Sequence, residues 1–332
     1  RAKSNKTKIS FTEVGQSDAE GTLLDNISVT TNQIIRGNSL YTIVDGPSWT
    51  EAEANSVKLG GHLVTVSSNE EDNFVDALLN DYFYGLDKIN DGDQVYFIRN
   101  GSEQSSDVWI GLNDKDNEGS YEWASGEQVE YMQTRELWDS SGKQDYVALR
   151  YVTNERWGWD DQEDMVNNQS IRYTQKKGIS ETSFIRRGDS AYVIVEGPSW
   201  EEAEANANAL GGHLATINDA EENEWINNTF GQYADFSNGL GLMIGYTDQA
   251  EEGTWQWVSG DLSTYTNWST GNPDNSRGSE DYAVIVSGSG NGKWNDFQEE
   301  WWNLPNTGNQ KGDVVGLAEI PLAPNNAPTG TP

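Results

Sequence analysis

The sequence predicts an α+β fold made of two tandem domains, each with two helices followed by a looped antiparallel sheet. An internal repeat carries this prediction: residues 36–66 and 187–217 are identical at about two thirds of their positions, at the constant offset of 151 residues that separates Trp49 from Trp200. A repeat this long is a duplicated domain rather than a solenoid unit. Within each copy the helical patterns come first, and short strands with long polar loops follow, which is typical of α+β domains.

Each copy opens on a strand and a capped helix. Apolar alternation predicts strands at Tyr41–Val44 and Tyr192–Val195, and a Gly-Pro turn follows each of them. A serine then stands as N-cap with a glutamate three residues later, the pattern of a capping box. A second helix is predicted from a similar cap further along each copy. The caps with their glutamates are Ser48 with Glu51 and Ser68 with Glu71 in the first copy, and Ser199 with Glu202 and Asp219 with Glu222 in the second.

The repeat also sets the domain boundaries. We expect a first domain at residues 35–174 and a second at 184–321, joined by a linker at 175–183. Residues 1–34 contain a β-like stretch, GTLLDNISVT, which we interpret as the last strands of a truncated preceding β domain. Residues 322–332 are rich in Pro, Asn and Thr and are predicted to be a linker. The chain is therefore expected to be part of a longer modular protein.

Composition limits the classes of partner. The chain has 54 acidic and 21 basic side chains, a formal net charge of -33. This acidic excess argues against nucleic acid and anionic membrane surfaces as partners, because phosphate contacts need clustered Lys and Arg. Hard cations held by carboxylates are favoured instead. The longest apolar run, around Gly239–Tyr246, is far shorter than the roughly 20 residues of a membrane span, so no membrane insertion is expected.

Motifs of catalysis are missing from the sequence. It contains no G-x-S-x-G, Walker or G-x-G-x-x-G motif. His62 and His213 occupy the same place in the two repeats and are interpreted as packing at a helix–strand junction rather than as catalytic or metal-binding groups. Among 54 acidic residues a pair of carboxylates placed for glycoside hydrolysis stays possible. We therefore predict that the protein is not an enzyme, with a glycan-active enzyme as the less favoured alternative.

Oxygen-bearing side chains concentrate in the later half of the second copy. Calcium prefers six to eight hard oxygen ligands, and two neighbouring segments supply five candidate side chains close to Pro273. The alternative is an Asn- and Asp-rich loop that merely turns the chain. The candidate ligands are Asn272, Asp274, Glu280, Asn295 and Asp296.

The motifs around these residues resemble the C-type lectin-like domain family. Its marks are a helix ending in LGGHL, a W-I-G-L strand, an E-G-x-W turn, an x-P-x loop, an E-D pair and a W-N-D strand. The resemblance covers about residues 35–174 and 184–321. The second copy has LGGHL at 210–214, GLMIG at 241–245, EGTW at 252–255, Asn272-Pro273-Asp274, Glu280-Asp281 and Trp294-Asn295-Asp296. The first copy has LGGHL at 59–63, VWIGL at 108–112, EGSYEW at 118–123 and Trp159-Asp160-Asp161.

The resemblance implies a sugar site built on calcium in the second copy. In the family the bond before the loop proline is cis, and two vicinal sugar hydroxyls complete the calcium shell while the ligand side chains hydrogen-bond to them. By position, Asn272, Asp274, Glu280 and Asn295 would contact both calcium and sugar, and Asp296 would contact calcium.

Sugar preference is a finer expectation from the same resemblance. The amide-then-acid order of Asn272-Pro273-Asp274 is similar to that of galactose binders rather than of mannose binders. Such sites also need an aromatic plane against the sugar, and Trp301 and Trp302 are candidates for it, with core packing as their alternative.

An accessory calcium site is implied in both copies. Asn275 stands where the family usually has an acid, which weakens the set in the second copy. The matching residues are Asp248, Glu252, Asn275 and Glu280 in the second copy, and Asp114, Glu118 and Asp139 in the first.

The first copy departs from the sugar-binding pattern. Alignment places Glu136-Leu137-Trp138 over Asn272-Pro273-Asp274 and Gln144 over Glu280. The proline is lost, a tryptophan replaces one ligand and an amide replaces an acid. We expect this copy to be a spacer or a partner surface with at most an accessory calcium ion.

Cysteine usage separates this chain from most of the family. Family domains usually carry two disulfides, but this chain has no cysteine: Ala207 and Ala318 stand at one pair of positions, and Tyr282 and Glu299 at the other. We expect side-chain packing and bound calcium to replace these crosslinks. Acidic, cysteine-free modules joined by such linkers resemble large bacterial secreted or surface proteins, so an extracellular or cell-surface location is expected.

The sequence thus predicts calcium-dependent recognition of glycans on a cell surface or of a polysaccharide. Other domains of the same protein are further candidate partners. The alternative is a pair of structural or protein-binding domains in which calcium only stabilises the fold.

Overall fold

The computed structural model describes residues 34–91, 94–99, 102–133, 143–152, 156–164, 176–234, 241–286, 292–298 and 314–322. Nearly all of the predicted N-terminal fragment and C-terminal linker lie outside these ranges. Within them, no helix is both long enough and apolar enough to cross a membrane.

The first domain has two helices and eleven strands. Its helices begin where the caps predict, because the Ser48 and Ser68 side chains accept hydrogen bonds from the backbone N–H of Glu51 and Glu71. The elements are β1 (Ile34–Arg36), β2 (Ser39–Asp45), α1 (Trp49–Lys58), β3 (His62–Leu63), α2 (Asn69–Tyr82), β4 (Asp87–Asp91), β5 (Gln94–Arg99), β6 (Ser102–Ser105), β7 (Val108–Asn113), β8 (Glu122–Trp123), β9 (Tyr146–Val152), β10 (Arg156–Gln162) and β11 (Lys177–Ser183).

The described residues of the second domain repeat this order without counterparts of β4, β5 and β6. Ser199 and Asp219 cap its helices in the same way, by accepting from Glu202 and Glu222. The elements are β12 (Ile185–Arg187), β13 (Ser190–Glu196), α3 (Trp200–Ala209), β14 (His213–Leu214), α4 (Ala220–Phe230), β15 (Gly241–Thr247), β16 (Gln256–Trp257), β17 (Tyr282–Val286), β18 (Lys293–Phe297) and β19 (Val314–Pro321). Short 3-10 helices span Gly231–Ala234 and Ser276–Gly278.

Each domain is built on one mixed sheet. The strand orders are β1-β2-β11-β7-β9-β10 and β12-β13-β19-β15-β17-β18. The predicted α+β class is confirmed, but the sheets are not wholly antiparallel: β11 runs parallel to β7, and β19 runs parallel to β15. The last strand of each domain lies between two strands that run in opposite directions. It is therefore antiparallel to one of them, β2 or β13, and parallel to the other, β7 or β15.

The closing strand corrects one predicted boundary. Residues 175–183 were expected to link the domains, yet Lys177–Ser183 forms β11 and pairs with β2 along its whole length. Gly178 and Ile179 are buried in the first domain, and the second domain's first strand begins only two residues after β11, at Ile185. The two domains are therefore joined without a spacer.

The domains also share apolar contacts. Residues of both belong to one core cluster, including Val44 and Leu59 from the first domain and Val193 from the second. The approach is close at Gly60, which has φ +78: an added Cβ would lie 2.0 Å from the carbonyl oxygen of Ile194. Only glycine fits this contact without displacing backbone.

The positions of the missing disulfides are filled by packing. Ala207 on α3 and Ala318 on β19 are fully buried in the same cluster. Tyr282 stacks on Trp200 with 4.8 Å between ring centroids, while Glu299 lies outside the described residues. Apolar and aromatic contacts therefore hold the helix to the sheet at these positions.

Candidate functional site

The site of the second domain rests on a fixed tryptophan. Trp294 on β18 is fully buried, and its indole Nε1 donates to Asn223 Oδ1 at 2.8 Å. Its ring contacts Trp257 and Trp268 at centroid distances of 5.9 and 5.7 Å. Because Asn295 and Asp296 follow it directly on the same strand, their backbone positions are set by the core.

Asp296 holds the neighbouring loop in place. Its carboxylate is fully buried, and Oδ2 accepts hydrogen bonds from the backbone N–H of Asp274 at 2.8 Å and of Asn275 at 2.7 Å. Asn275 has φ 43, a left-handed conformation that asparagine adopts more readily than most residues. The Asn272–Pro273 peptide bond is cis, as the resemblance implied.

Three of the five principal candidates of the second domain form one carboxylate group, and the two asparagines pair with each other. The side chains of Asp274, Glu280 and Asp296 each offer a carboxylate oxygen, and these oxygens lie within 4.8 Å of one another. Asn272 Nδ2 donates to Asn295 Oδ1, which joins the loop side chain to the strand. Over the ranges that the structure covers, this is the one group of three or more acidic, histidine or cysteine side chains close enough to hold a metal ion.

The neighbouring carboxylates raise the proton affinity of Glu280. Burial, and then the charges of Asp296 and Asp274, raise the pKa of Glu280 to about 7, although a hydrogen bond from the Ser276 backbone N–H at 2.8 Å opposes the shift. At neutral pH the cluster therefore carries closely spaced negative charge that a cation would relieve.

The residues fit a calcium ion. Asp296 Oδ1 is buried and has no hydrogen-bond partner among the described residues, and an unsatisfied buried acceptor costs about 1–3 kcal/mol. The donor set is entirely oxygen, from three carboxylates and two amides, which suits calcium rather than zinc or copper.

The candidate ligands of the accessory calcium site in the second domain form a less compact group than those around Asp296. Asp248 is buried; its Oδ2 accepts from the Gly253 backbone N–H at 2.9 Å, and its Oδ1 has no partner within the described ranges. Burial first, and then the nearby charge of Asp281, raise the pKa of Asp248. Glu252 is exposed and bonded to the Asn275 side chain. These residues do not form a three-carboxylate group like the one around Asp296.

Asp281 was not selected from the sequence. Its charge acts on both Asp248 and Glu252, and its backbone carbonyl accepts from the Asp248 N–H at 3.2 Å and from Thr247 Oγ1 at 2.7 Å. The sequence signal for Asp281 is its place beside Glu280 in the acidic pair, of which only Glu280 is predicted to be a ligand.

In the first domain a tyrosine bonds to the matching aspartate. Asp161, which matches Asp296, accepts at Oδ2 from the Tyr121 hydroxyl at 3.0 Å. Burial, and then the charges of Asp161 and Asp114, raise the pKa of Tyr121, so the hydroxyl stays protonated. In the second domain, the backbone N–H groups of Asp274 and Asn275 donate to the equivalent oxygen, Oδ2 of Asp296. The first domain therefore holds this aspartate without a proline loop.

The accessory candidates of the first domain are only partly described. Asp114 repeats the geometry of Asp248: its Oδ2 accepts from the Gly119 N–H at 2.7 Å, and its buried Oδ1 is unpartnered among the residues described. Glu118 is exposed. Asp139 lies outside the described residues, as do residues 136–138, and so do Trp301 and Trp302 of the second domain.

The two histidines bond to helix glutamates. His62 Nδ1 lies 2.6 Å from Glu53 Oε1, and His213 Nδ1 lies 2.7 Å from Glu204 Oε1. Each glutamate also accepts from the backbone N–H of the leucine that follows the histidine, Leu63 or Leu214, at 2.8 Å in both domains. The pairs tie the first helix of each domain to the short strand that follows it.

Comparisons with known proteins agree with the repeat. The family model described as "Lectin C-type domain" matches residues 45–174 and 196–303. C-type mannose receptor 2 of Rattus norvegicus is 26% identical over 269 residues, which are 75% of this chain and 16% of the receptor. An alpha-N-acetylgalactosamine-specific lectin of Patiria pectinifera is 36% identical over 105 residues, or 30% of this chain and 62% of that lectin.

Solved structures match one domain's length at a time. A mouse scavenger receptor C-type lectin carbohydrate-recognition domain is 26% identical, with 42% of this chain and 94% of that chain covered and a TM-score of 0.31. The cow CD23 carbohydrate-recognition domain is 22% identical with the same coverages and a TM-score of 0.34. This chain spans only about 16% of the mannose receptor's length. The family model covers well over half of the chain, with one matched segment in each domain. The chain therefore belongs to the C-type lectin domain family.

Proposed function

We propose that the second domain binds carbohydrate through calcium, as a lectin or adhesion region of a larger secreted or cell-surface protein. The observation that carries this proposal is Asp296. One of its oxygens anchors the Asn272–Asn275 loop, and the other is buried with no hydrogen-bond partner among the described residues. The grouping of this carboxylate with those of Asp274 and Glu280, which no other described part of the chain repeats, favours a cation.

The chain's own groups would orient the sugar. Asn272, Asp274, Glu280, Asn295 and Asp296 would hold the ion, and bound calcium would supply open coordination positions to two vicinal hydroxyls. Around it, the carboxylates accept hydrogen bonds from hydroxyl groups, and the amide N–H groups of the two asparagines donate to hydroxyl oxygens. Hydroxyl pairs with the wrong geometry would leave such groups unpaired, which is the source of selectivity.

A galactose-type ligand is part of the proposal. The order of amide and acid around Pro273 supports it, and a related lectin is named for alpha-N-acetylgalactosamine. Trp301 or Trp302 would supply the aromatic plane. A mannose receptor is among the relatives too, so the two sugar classes must be compared directly.

The first domain has a different proposed role. The Tyr121 contact to Asp161 favours a structural or partner-binding domain, with calcium at most at an accessory site made by Asp114, Glu118 and Asp139. A corresponding accessory ion in the second domain would use Asp248, Glu252, Asn275 and Glu280. The glycan partners would be cell-surface glycans or a polysaccharide, next to other domains of the same protein.

Glycan binding by the whole chain tests the proposed function. We expect binding to immobilised galactose- and N-acetylgalactosamine-terminated glycans in calcium, loss of that binding in EDTA, and no recovery when magnesium replaces calcium, since magnesium demands a smaller octahedral shell. Free galactose should compete at lower concentration than free mannose. Equal binding in calcium and EDTA would contradict the proposal, and stronger competition by mannose would contradict its galactose part alone.

Calcium affinity should depend on pH. Because the pKa of metal-free Glu280 is raised to about 7, protons compete with calcium below that value, and the apparent affinity should fall by up to about tenfold for each pH unit from about pH 7 to pH 5. Above about pH 8 the affinity should be constant. Calorimetric titration across this range measures the effect. Glu280→Gln should bind more weakly with a flatter profile, and an unchanged wild-type affinity between about pH 8 and pH 6 would contradict the prediction.

A further inference from the structure

A cavity of about 310 Å³ lies in the first domain, and none of the candidate metal ligands is among its lining residues. The end of α2 contributes Phe83 and Tyr84, the added strands β4 and β5 contribute Lys88 and Phe97, and the sheet contributes Tyr151 and Trp157. No acidic or histidine side chain lines it. Its lining therefore offers no carboxylate for a calcium ion.

The cavity depends on an insertion. Between α2 and β7 the first domain has 25 residues, at 83–107, where the second domain has ten between α4 and β15, at 231–240. The inserted Phe97 stacks on Phe83 with 4.3 Å between centroids, and its ring edge meets Tyr151 at 5.7 Å. The three-stranded sheet β4-β5-β6 thereby forms one wall of the cavity. The described part of the second domain has no such sheet.

The lining combines ring surfaces with a few polar groups. Tyr84 is 75% exposed, an unusual exposure for a large aromatic side chain. The Lys88 ammonium donates to the Tyr151 hydroxyl at 2.8 Å and lies 4.5 Å from the centre of its ring. Asn80 Oδ1 accepts from Trp157 Nε1 at 3.1 Å, and the Asn80 Nδ2 group has no acceptor among the described residues. Donors are thus available beside aromatic rings.

We propose that this cavity is a second carbohydrate site, one that binds a neutral hexopyranose ring without calcium. Its volume is at the small end of ligand pockets, about 300–1,000 Å³, so it suits a single ring rather than a polymer segment. A hexopyranose has an apolar face of C–H groups, which the rings can contact, and hydroxyl oxygens, which accept from Lys88 and Asn80. The net charge of -33 repels anionic ligands, and the polar groups disfavour a purely apolar one.

Saturation-transfer NMR on the full chain in EDTA tests this site. The probes are methyl galactoside, methyl glucoside and methyl mannoside. We expect transfer to at least one of them, a loss of at least fivefold in Tyr84→Ala, and a comparable loss in Lys88→Met. Because the Tyr84 side chain is largely exposed, its removal should leave the melting temperature unchanged.

A matched control exists in the second domain. Tyr233 is also exposed and follows α4 as Tyr84 follows α2, but it lacks the added sheet, so Tyr233→Ala should retain full transfer. Asp296→Asn should retain it as well, because the site does not use the calcium cluster. No transfer to any probe in EDTA, equal transfer in Tyr84→Ala, or equal losses in both tyrosine variants would overturn the proposal and leave the calcium-dependent function untouched.

Discussion

Replacing Asp296 with asparagine is expected to abolish calcium-dependent glycan binding. The carboxylate accepts from two backbone N–H groups of the loop and offers its other oxygen to the cluster. Hydrogen bonds to a charged acceptor contribute about 1.5–3 kcal/mol each, and an amide in this place would turn an NH2 group toward either the loop or the ion. We expect calcium affinity to fall at least about 100-fold, which is about 2.8 kcal/mol. Calorimetric titration and glycan binding measure the two effects.

The repeat provides a matched control for this substitution. Asp161→Asn alters the equivalent aspartate of the first domain, which is also buried and accepts from the Tyr121 hydroxyl. Its glycan binding should match the wild type, even though its stability should fall. If Asp296→Asn keeps glycan binding in calcium, the sugar lies elsewhere on the chain.

Removal of calcium is expected to lower the melting midpoint of the chain by about 5–10 °C. Without the ion, Asp274, Glu280 and Asp296 face one another at close range with no counter-charge. A ligand that binds only the folded state at 100 times its dissociation constant stabilises by about 2.7 kcal/mol, and about 1 kcal/mol shifts the midpoint of a domain of this size by about 2–4 °C. Calorimetric melting in calcium and in EDTA measures the shift.

Most of the calcium effect should be lost in the variant that loses this site. The melting midpoints of Asp296→Asn with calcium and with EDTA are expected to differ much less than those of the wild type, because only accessory ions remain, and both should lie below that of the calcium-loaded wild type. A wild-type midpoint that does not respond to EDTA would mean that the loop bond to Asp296 alone holds the site together.

Local sequence was sufficient for the features that depend on near neighbours. The helix starts at Ser48 and Ser199 follow from caps whose partners stand three residues away, and the repeat determined the two domains. The Asn272–Asn275 loop and the Asn295-Asp296 strand were also selected from residue type and motif, and the structure brings them together. Short sequence separation and a strong motif leave few alternative arrangements.

Tertiary structure decided the features that depend on distant segments. Lys177–Ser183 is a strand because β2 and β7 supply its partners, and no local pattern distinguishes that from a linker. Asp161 accepts a hydrogen bond from Tyr121, forty residues away, and the cavity beside Tyr84 exists only because β4 and β5 fold back against α2 and β9. Such contacts form only after the chain has closed long loops, so their identity is determined by the whole fold rather than by the residues on either side.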